Sequence, residues 1–246
     1  KNFEKIEPEL FASETIDQTF TGDITTVLPE SIPDFDIITG GFPCQPFSQA
    51  GLKKGFNETR GTLFFDIANI MKEKQPKAFF LENVRGLLTH DGGRTFATIQ
   101  RVLTEELGYS FFYKVVKASD YGVPQHRPRL FMVGFKDKSI EFEFPEPVKL
   151  VMTMDDVFNG KVNKTVGYTL RVGGRGSGLA DRRNWDTYLV DGEVRRLSPK
   201  EGLRMQGFPD TFEFPVSETQ AMKQLGNSVA VPAIQATASE IIKRLK

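Results

Sequence analysis

From Asp36 through Phe135, apolar runs of strand length alternate with amphipathic segments of helix length, and that alternation constrains the fold more than any other feature of the chain. Asp36-Ile37-Ile38-Thr39 reads as a buried strand. Leu63, Phe64, Ile67, Ile70 and Met71 then recur at helical spacing, and Lys72-Glu73-Lys74-Gln75-Pro76 ends that helix. Ala78-Phe79-Phe80-Leu81 is too short for a helix and reads as a central strand that delivers Glu82 at its end. A second helix is expected from about Thr95 to Leu107, stopped by Gly108. Ser110–Lys117 and Arg129–Phe135 read as further strands. This order implies an α/β chain of βαβ units, with a Rossmann-like, mostly parallel sheet and helices on both faces. Ligands of such sheets collect beyond the carboxyl ends of the strands, where Cys44 and Glu82 stand.

The texture changes after Phe135. Phe142-Glu143-Phe144-Pro145-Glu146-Pro147 is punctuated by proline, and residues 148–195 are glycine-rich with few helix signals. The expected division is a main domain over 1–147, a small loop-rich domain over 148–195, and a segment over 196–246 that returns to the main domain. Arg171, Arg175, Arg182 and Arg183 form the best local cationic cluster, although acidic residues lie among them. Ser198, Pro199 and Glu201 read as N-cap, first helical residue and capping-box partner. Ile234, Ala238, Ile241, Ile242 and Leu245 space a closing helix.

Lys+Arg and Asp+Glu both number 32, so any contact with nucleic acid must come from local clusters rather than from overall charge. The one cysteine excludes an internal disulfide and fits a reducing cytosol. With only two histidines beside it, no metal is expected. No apolar run approaches a membrane span and no signal-peptide pattern opens the chain, so the expected location is the cytoplasm.

That cysteine lies in Gly40-Gly41-Phe42-Pro43-Cys44-Gln45-Pro46-Phe47-Ser48. Two glycines make a tight loop after the strand, and the prolines on either side of Cys44 stiffen it. A thiol held rigidly at a strand end suits a nucleophile. A lone cysteine taken without that setting is more often a small core residue.

Several segments together resemble the DNA cytosine-5 methyltransferase family. Gly41–Ser48 is similar to its catalytic loop, Phe80-Leu81-Glu82-Asn83-Val84 to its ENV motif and Gln125-His126-Arg127-Pro128-Arg129 to its QxRxR motif. Arg196–Pro209 and Gln224-Leu225-Gly226-Asn227-Ser228-Val229 resemble its last two motifs, and all stand in the family's order. The resemblance implies an S-adenosylmethionine-dependent methyltransferase fold with a small target-recognition domain. It implies that Cys44 adds to carbon 6 of a cytosine flipped out of duplex DNA, while Glu82 donates a proton at N3. Of the paired arginines, Arg129 would hold the base's O2 and Arg127 would order the catalytic loop or a phosphate. The donor pocket would include Asp23, Ile24, Pro43, Leu63 and Asn227. Ser48, Lys53, Lys54 and Arg60 would meet DNA from the loop after the cysteine, and Arg171, Arg175, Arg182 and Arg183 from the recognition region.

The family's glycine-rich donor loop has no counterpart in Lys1–Phe20, which contains no glycine. The expectation is that this segment was left out, deleted, or supplied by a complementing subunit. The implied partner is double-stranded DNA, with a cognate restriction enzyme in the same system, and the protein is expected to act as a monomer. A tRNA cytosine-5 methyltransferase built on the same loop is the alternative, marked by 2′-hydroxyl contacts.

Overall fold

The computed structural model describes residues 23–44 and 63–246. Ser48, Lys53, Lys54 and Arg60 lie outside the described residues. The chain divides into two compact units. The first takes the described residues of Asp17–Val115 with Arg129–Phe144 and Glu240–Lys246. The second takes Val116–Pro128 and Pro145–Ser239.

In the first unit, β1 (Ile37–Gly41) is followed by α1 (Leu63–Lys74) and β2 (Ala78–Val84). β1 and β2 pair in parallel, from Ile37 opposite Ala78 to Gly41 opposite Glu82. The helical spacing read in the sequence buries Phe64, Phe65, Ile67, Ala68, Ile70 and Met71 on one face of α1. Gln75 ends the helix in the left-handed region at φ 47°, and its side-chain amide donates to the Lys72 carbonyl at 2.8 Å. Pro76 then has no N–H to carry the helix on. α2 (Arg94–Arg101) passes into one wider, π-helical turn at Val102–Glu106, and Gly108 stops it at φ 78°. Phe79 and Leu81 of β2 pack with Phe64, Ile67 and Met71 of α1 and with Ile99, Leu103 and Leu107.

β3 (Phe112–Lys117) and β4 (Pro128–Phe135) complete a sheet of order β1-β2-β4-β3. The α/β class holds, but β4 departs from the parallel pattern expected of it and runs antiparallel to β2, with Glu82 opposite Phe131 and Val84 opposite Arg129. The cause is the connection before it. Residues 118–127, which join β3 to β4, fall short of the roughly a dozen that a parallel crossover needs. The two strands therefore turn back on each other. Ser110 N–H bonds the Phe135 carbonyl at one end, and Ala118 N–H bonds the Arg127 carbonyl at the other. Gly134 marks how tightly this sheet is packed, because a Cβ there would lie 2.1 Å from the Ser110 carbonyl and 2.3 Å from the Phe79 ring. Gly134→Ala is expected to cost about 3 kcal/mol or more, read as a lower urea midpoint.

The second unit draws its boundaries elsewhere than the expected 148–195 and 196–246. α3 (Met154–Phe158), the hairpin of β5 (Thr187–Val190) and β6 (Glu193–Arg196), α4 (Pro199–Gln206) and α5 (Glu218–Asn227) share one apolar core. Trp185, Tyr188, Leu197, Leu203, Met205, Met222 and Leu225 all contribute to it, so the two segments fold around the same side chains. α4 begins as its sequence implied: Ser198 Oγ accepts from Glu201 N–H at 3.3 Å, and Glu201 Oε2 accepts from Ser198 N–H at 2.7 Å. α6 (Val231–Leu245) closes the chain; Ile241 is buried, whereas Ile242 is 46% exposed. Among the described residues no helix is long and apolar enough to cross a membrane, and no group of His, Cys, Asp and Glu could hold a metal ion.

Candidate active site

Strand pairing places the catalytic candidates of the first unit. Gly41 ends β1 opposite Glu82, and a Cβ at Gly41 would approach Glu82 Oε2 to 3.3 Å. The backbone that leads to Cys44 thus passes directly beside the carboxylate. Phe42 anchors that backbone by burying its ring against Phe64, with centroids 5.4 Å apart. Cys44 is half-buried and packs against the core of this unit. Burial pushes its thiol above the ordinary value.

Glu82 lies within β2 rather than past its end, on the face shared with Phe80 and Val84. Two residues along the opposite strand from its partner Phe131 stands Arg129, a diagonal neighbour within reach of long side chains. Arg129 Nε meets Glu82 Oε1 at 2.8 Å, with the two side chains only 15% and 20% exposed. Burial draws the Arg129 guanidinium below its ordinary value, while Glu82 pulls it back. An arginine remains charged under such a shift. It is thus a fixed donor beside the carboxylate.

Arg127 braces main chain. It is 2% exposed in the second unit, where its guanidinium donates to the main-chain carbonyls of Leu170 at 3.0 Å, Gly226 at 2.9 Å and Ser228. Gln125 works beside it, accepting from Leu170 N–H at 3.1 Å and donating to the Met205 carbonyl at 3.2 Å. These side chains staple the segments around 170, 205 and 227 into one piece. These three carbonyls hold the guanidinium against the main chain of the second unit; the loop after Cys44, which the resemblance has Arg127 order, lies outside the described residues.

The donor-side candidates divide between the units. Asp23 is exposed and caps the turn Ile24–Thr26. Its Oδ1 accepts from Thr25 N–H at 2.9 Å and from Thr25 Oγ1 at 2.7 Å, bonds that hold the carboxyl below its ordinary value. Oδ2 makes no hydrogen bond among the described residues, which suits an incoming amino group. Ile24 and Leu63 are half-buried against the first unit's core, and Pro43 is exposed. Asn227 is exposed in the second unit, between the two residues whose carbonyls Arg127 holds.

The pattern of the C-5 cytosine-specific DNA methylases matches residues 5–172 and 167–243. The chain belongs to that family. The Type II methyltransferase M.SsoII of Shigella sonnei is 45% identical to this methylase, over 91% of this chain and 68% of the relative. M.HhaI of Haemophilus parahaemolyticus is 38% identical over 94% and 84%. Among solved structures, the Entamoeba histolytica methyltransferase EhMeth shares the fold with a TM-score of 0.69 at 15% identity, over 99% of this chain and 87% of that one. The DNA cytosine-5 methyltransferase activity read from the motifs is that of the family.

The recognition arginines of the methylase fall into two groups. Arg175 is exposed and ion-paired: its guanidinium meets the buried Asp186 at 3.3 Å, Glu218 at 2.6 Å and the Leu197 carbonyl at 3.0 Å. Arg183 is exposed and pairs with Asp181 at 2.8 Å. Arg171 and Arg182 are exposed, with no ion pair among the described residues. Trp185 fastens the glycine-rich loop from below, donating from Nε1 to the Gly173 carbonyl at 3.0 Å. The pairing of Arg175 with Asp186 had no signal in the sequence beyond their opposite charge.

Proposed function

We propose that this methylase transfers a methyl group from S-adenosylmethionine to carbon 5 of a cytosine flipped out of duplex DNA, as the modification enzyme of a restriction–modification system. The observation that carries the reading is the Glu82–Arg129 pair, set beside the Gly41 backbone that leads to Cys44. A carboxyl group and a fixed guanidinium on one sheet face match what a pyrimidine ring needs when a thiolate adds to it. Arg129 holds the O2 atom, and Glu82 delivers a proton to N3 as charge builds on the ring. Cys44 gives its proton to solvent and bonds carbon 6, which leaves carbon 5 nucleophilic; after methyl transfer, loss of the carbon-5 proton to solvent expels the Cys44 thiolate and restores the ring. S-adenosylmethionine supplies an electrophilic methyl group, and Asp23, Ile24, Pro43 and Leu63 of the first unit are the residues that would hold it.

Expression of the full-length protein in a host without cytosine methylation tests this reading. Bisulfite sequencing is expected to show one short DNA sequence protected throughout the genome. Protection of transfer RNA with unmodified DNA would favour the RNA alternative, and no protection of either would contradict the reading.

The recognition arginines give a separate expectation. Arg171→Ala and Arg182→Ala are each expected to weaken DNA binding and to lower the salt slope of log Kd by about one. Arg175→Ala should leave that slope unchanged and instead lower the unfolding midpoint, since it strands the buried Asp186.

A further inference from the structure

Asn83 follows Glu82 in β2 and has no role in the chemistry above, yet it is 2% exposed and polar. Its Nδ2 donates to the Phe42 carbonyl at 2.7 Å, and its Oδ1 accepts from Val84 N–H at 2.8 Å. The bond from Val84 fixes which end of the amide faces Phe42, because an N–H can only meet the oxygen. β1 pairing ends at Gly41, so this bond is one residue beyond the last ladder contact. Phe42 is consequently held twice, by its ring against Phe64 and by its carbonyl through Asn83. Pro43 comes next with a fixed φ, and Cys44 after it.

We infer that Asn83 is a positioning residue for the Cys44 nucleophile, tying the thiol's loop to the strand that carries Glu82. The inference rests on the assignment of Cys44 as nucleophile. An apolar residue of the same shape would fill the space but leave the buried Phe42 carbonyl without a donor. An asparagine there links the acid and the nucleophile through one rigid strand, so that neither moves without the other. Displacement of a reacting group by about 1 Å is enough to cost roughly 10²-fold in rate.

The test compares wild type, Asn83→Asp and Asn83→Leu in the full-length protein. The measurements are single-turnover methyl transfer, DNA affinity, unfolding midpoint and alkylation of Cys44 by iodoacetamide. Alkylation is read by mass spectrometry on the peptide that carries Cys44, so that it reports on that thiol alone. At mildly alkaline pH, Asn83→Asp presents a carboxylate oxygen to the Phe42 carbonyl. Transfer is then expected to fall about 10²-fold, with DNA affinity held within about threefold. As the pH is lowered the carboxyl takes up a proton and its O–H replaces the lost donor. Its rate relative to wild type at the same pH should recover by about tenfold or more, and its relative alkylation rate should return toward wild type. Asn83→Leu should show the loss and no recovery at any pH.

The same relative rate at every pH in Asn83→Asp, or Cys44 alkylation equal to wild type in both variants, would overturn the inference and leave Asn83 a purely structural group. A wild-type protein that methylates nothing would instead overturn the assignment of Cys44. The alkylation comparison would still decide whether Asn83 places the thiol.

Discussion

Glutamine in place of Glu82 is expected to slow methyl transfer by about 10²–10⁴-fold, with DNA binding close to wild type. Glutamine has the same length and still offers an oxygen to Arg129, so the site keeps its shape. What it lacks is a proton that can be given to N3 as the thiolate adds. Without that transfer the ring must carry the developing charge through its contact with Arg129 alone. The loss should fall on kcat in single-turnover assays, because the interaction matters only once charge develops. A glutamine variant within a few-fold of wild type would remove Glu82 from the proton-transfer role.

Methionine in place of Arg127 is expected to act on stability instead. The substitution leaves the carbonyls of Leu170, Gly226 and Ser228 without their donor in the interior of the second unit. A buried acceptor stripped of its partner costs about 1–3 kcal/mol, so the combined loss should reach about 4 kcal/mol. The positive charge also sits at the last turn of α5, where it complements the helix dipole. Lysine should recover only part of the loss, because one ammonium cannot span three carbonyls as a planar guanidinium does. Chemical unfolding followed at Trp185, which is buried in that unit's core, reads this directly. Arg129→Met is the contrasting variant: it should fold and fail in catalysis. Equal stability of Arg127→Met and wild type would contradict the stapling role.

The two arginines show where the sequence was legible and where it was not. Their spacing and the glutamine before them identify the family. Only the contacts show that Arg127 braces main chain while Arg129 faces Glu82. A sequence lists donors but not the acceptors that tertiary packing brings to them, and both arginines carry the same donors. Helices were legible wherever apolar spacing and a cap coincide, as in α1 and at Ser198. The direction of β4 was less so, because strand periodicity carries no sign; the short 118–127 connection was the available signal. Asn83 was visible inside its motif, yet its bond to Phe42 spans residues 41 apart in sequence and needed the β1–β2 register to appear. Arg175 is exposed like its neighbours, and only the contacts show its ion pair with the buried Asp186.

The central claim is that Cys44 forms a covalent bond to a cytosine in duplex DNA. Incubating the full-length protein and S-adenosylmethionine with duplex DNA that carries 5-fluorocytosine at many sites tests it most directly. Fluorine at carbon 5 blocks the release that follows methyl transfer, so the bonded complex accumulates. A denaturing gel is expected to show a protein–DNA adduct with wild type and none with Cys44→Ser. An adduct that persists in Cys44→Ser, or a folded wild-type protein that forms none on diverse DNA, would contradict the account.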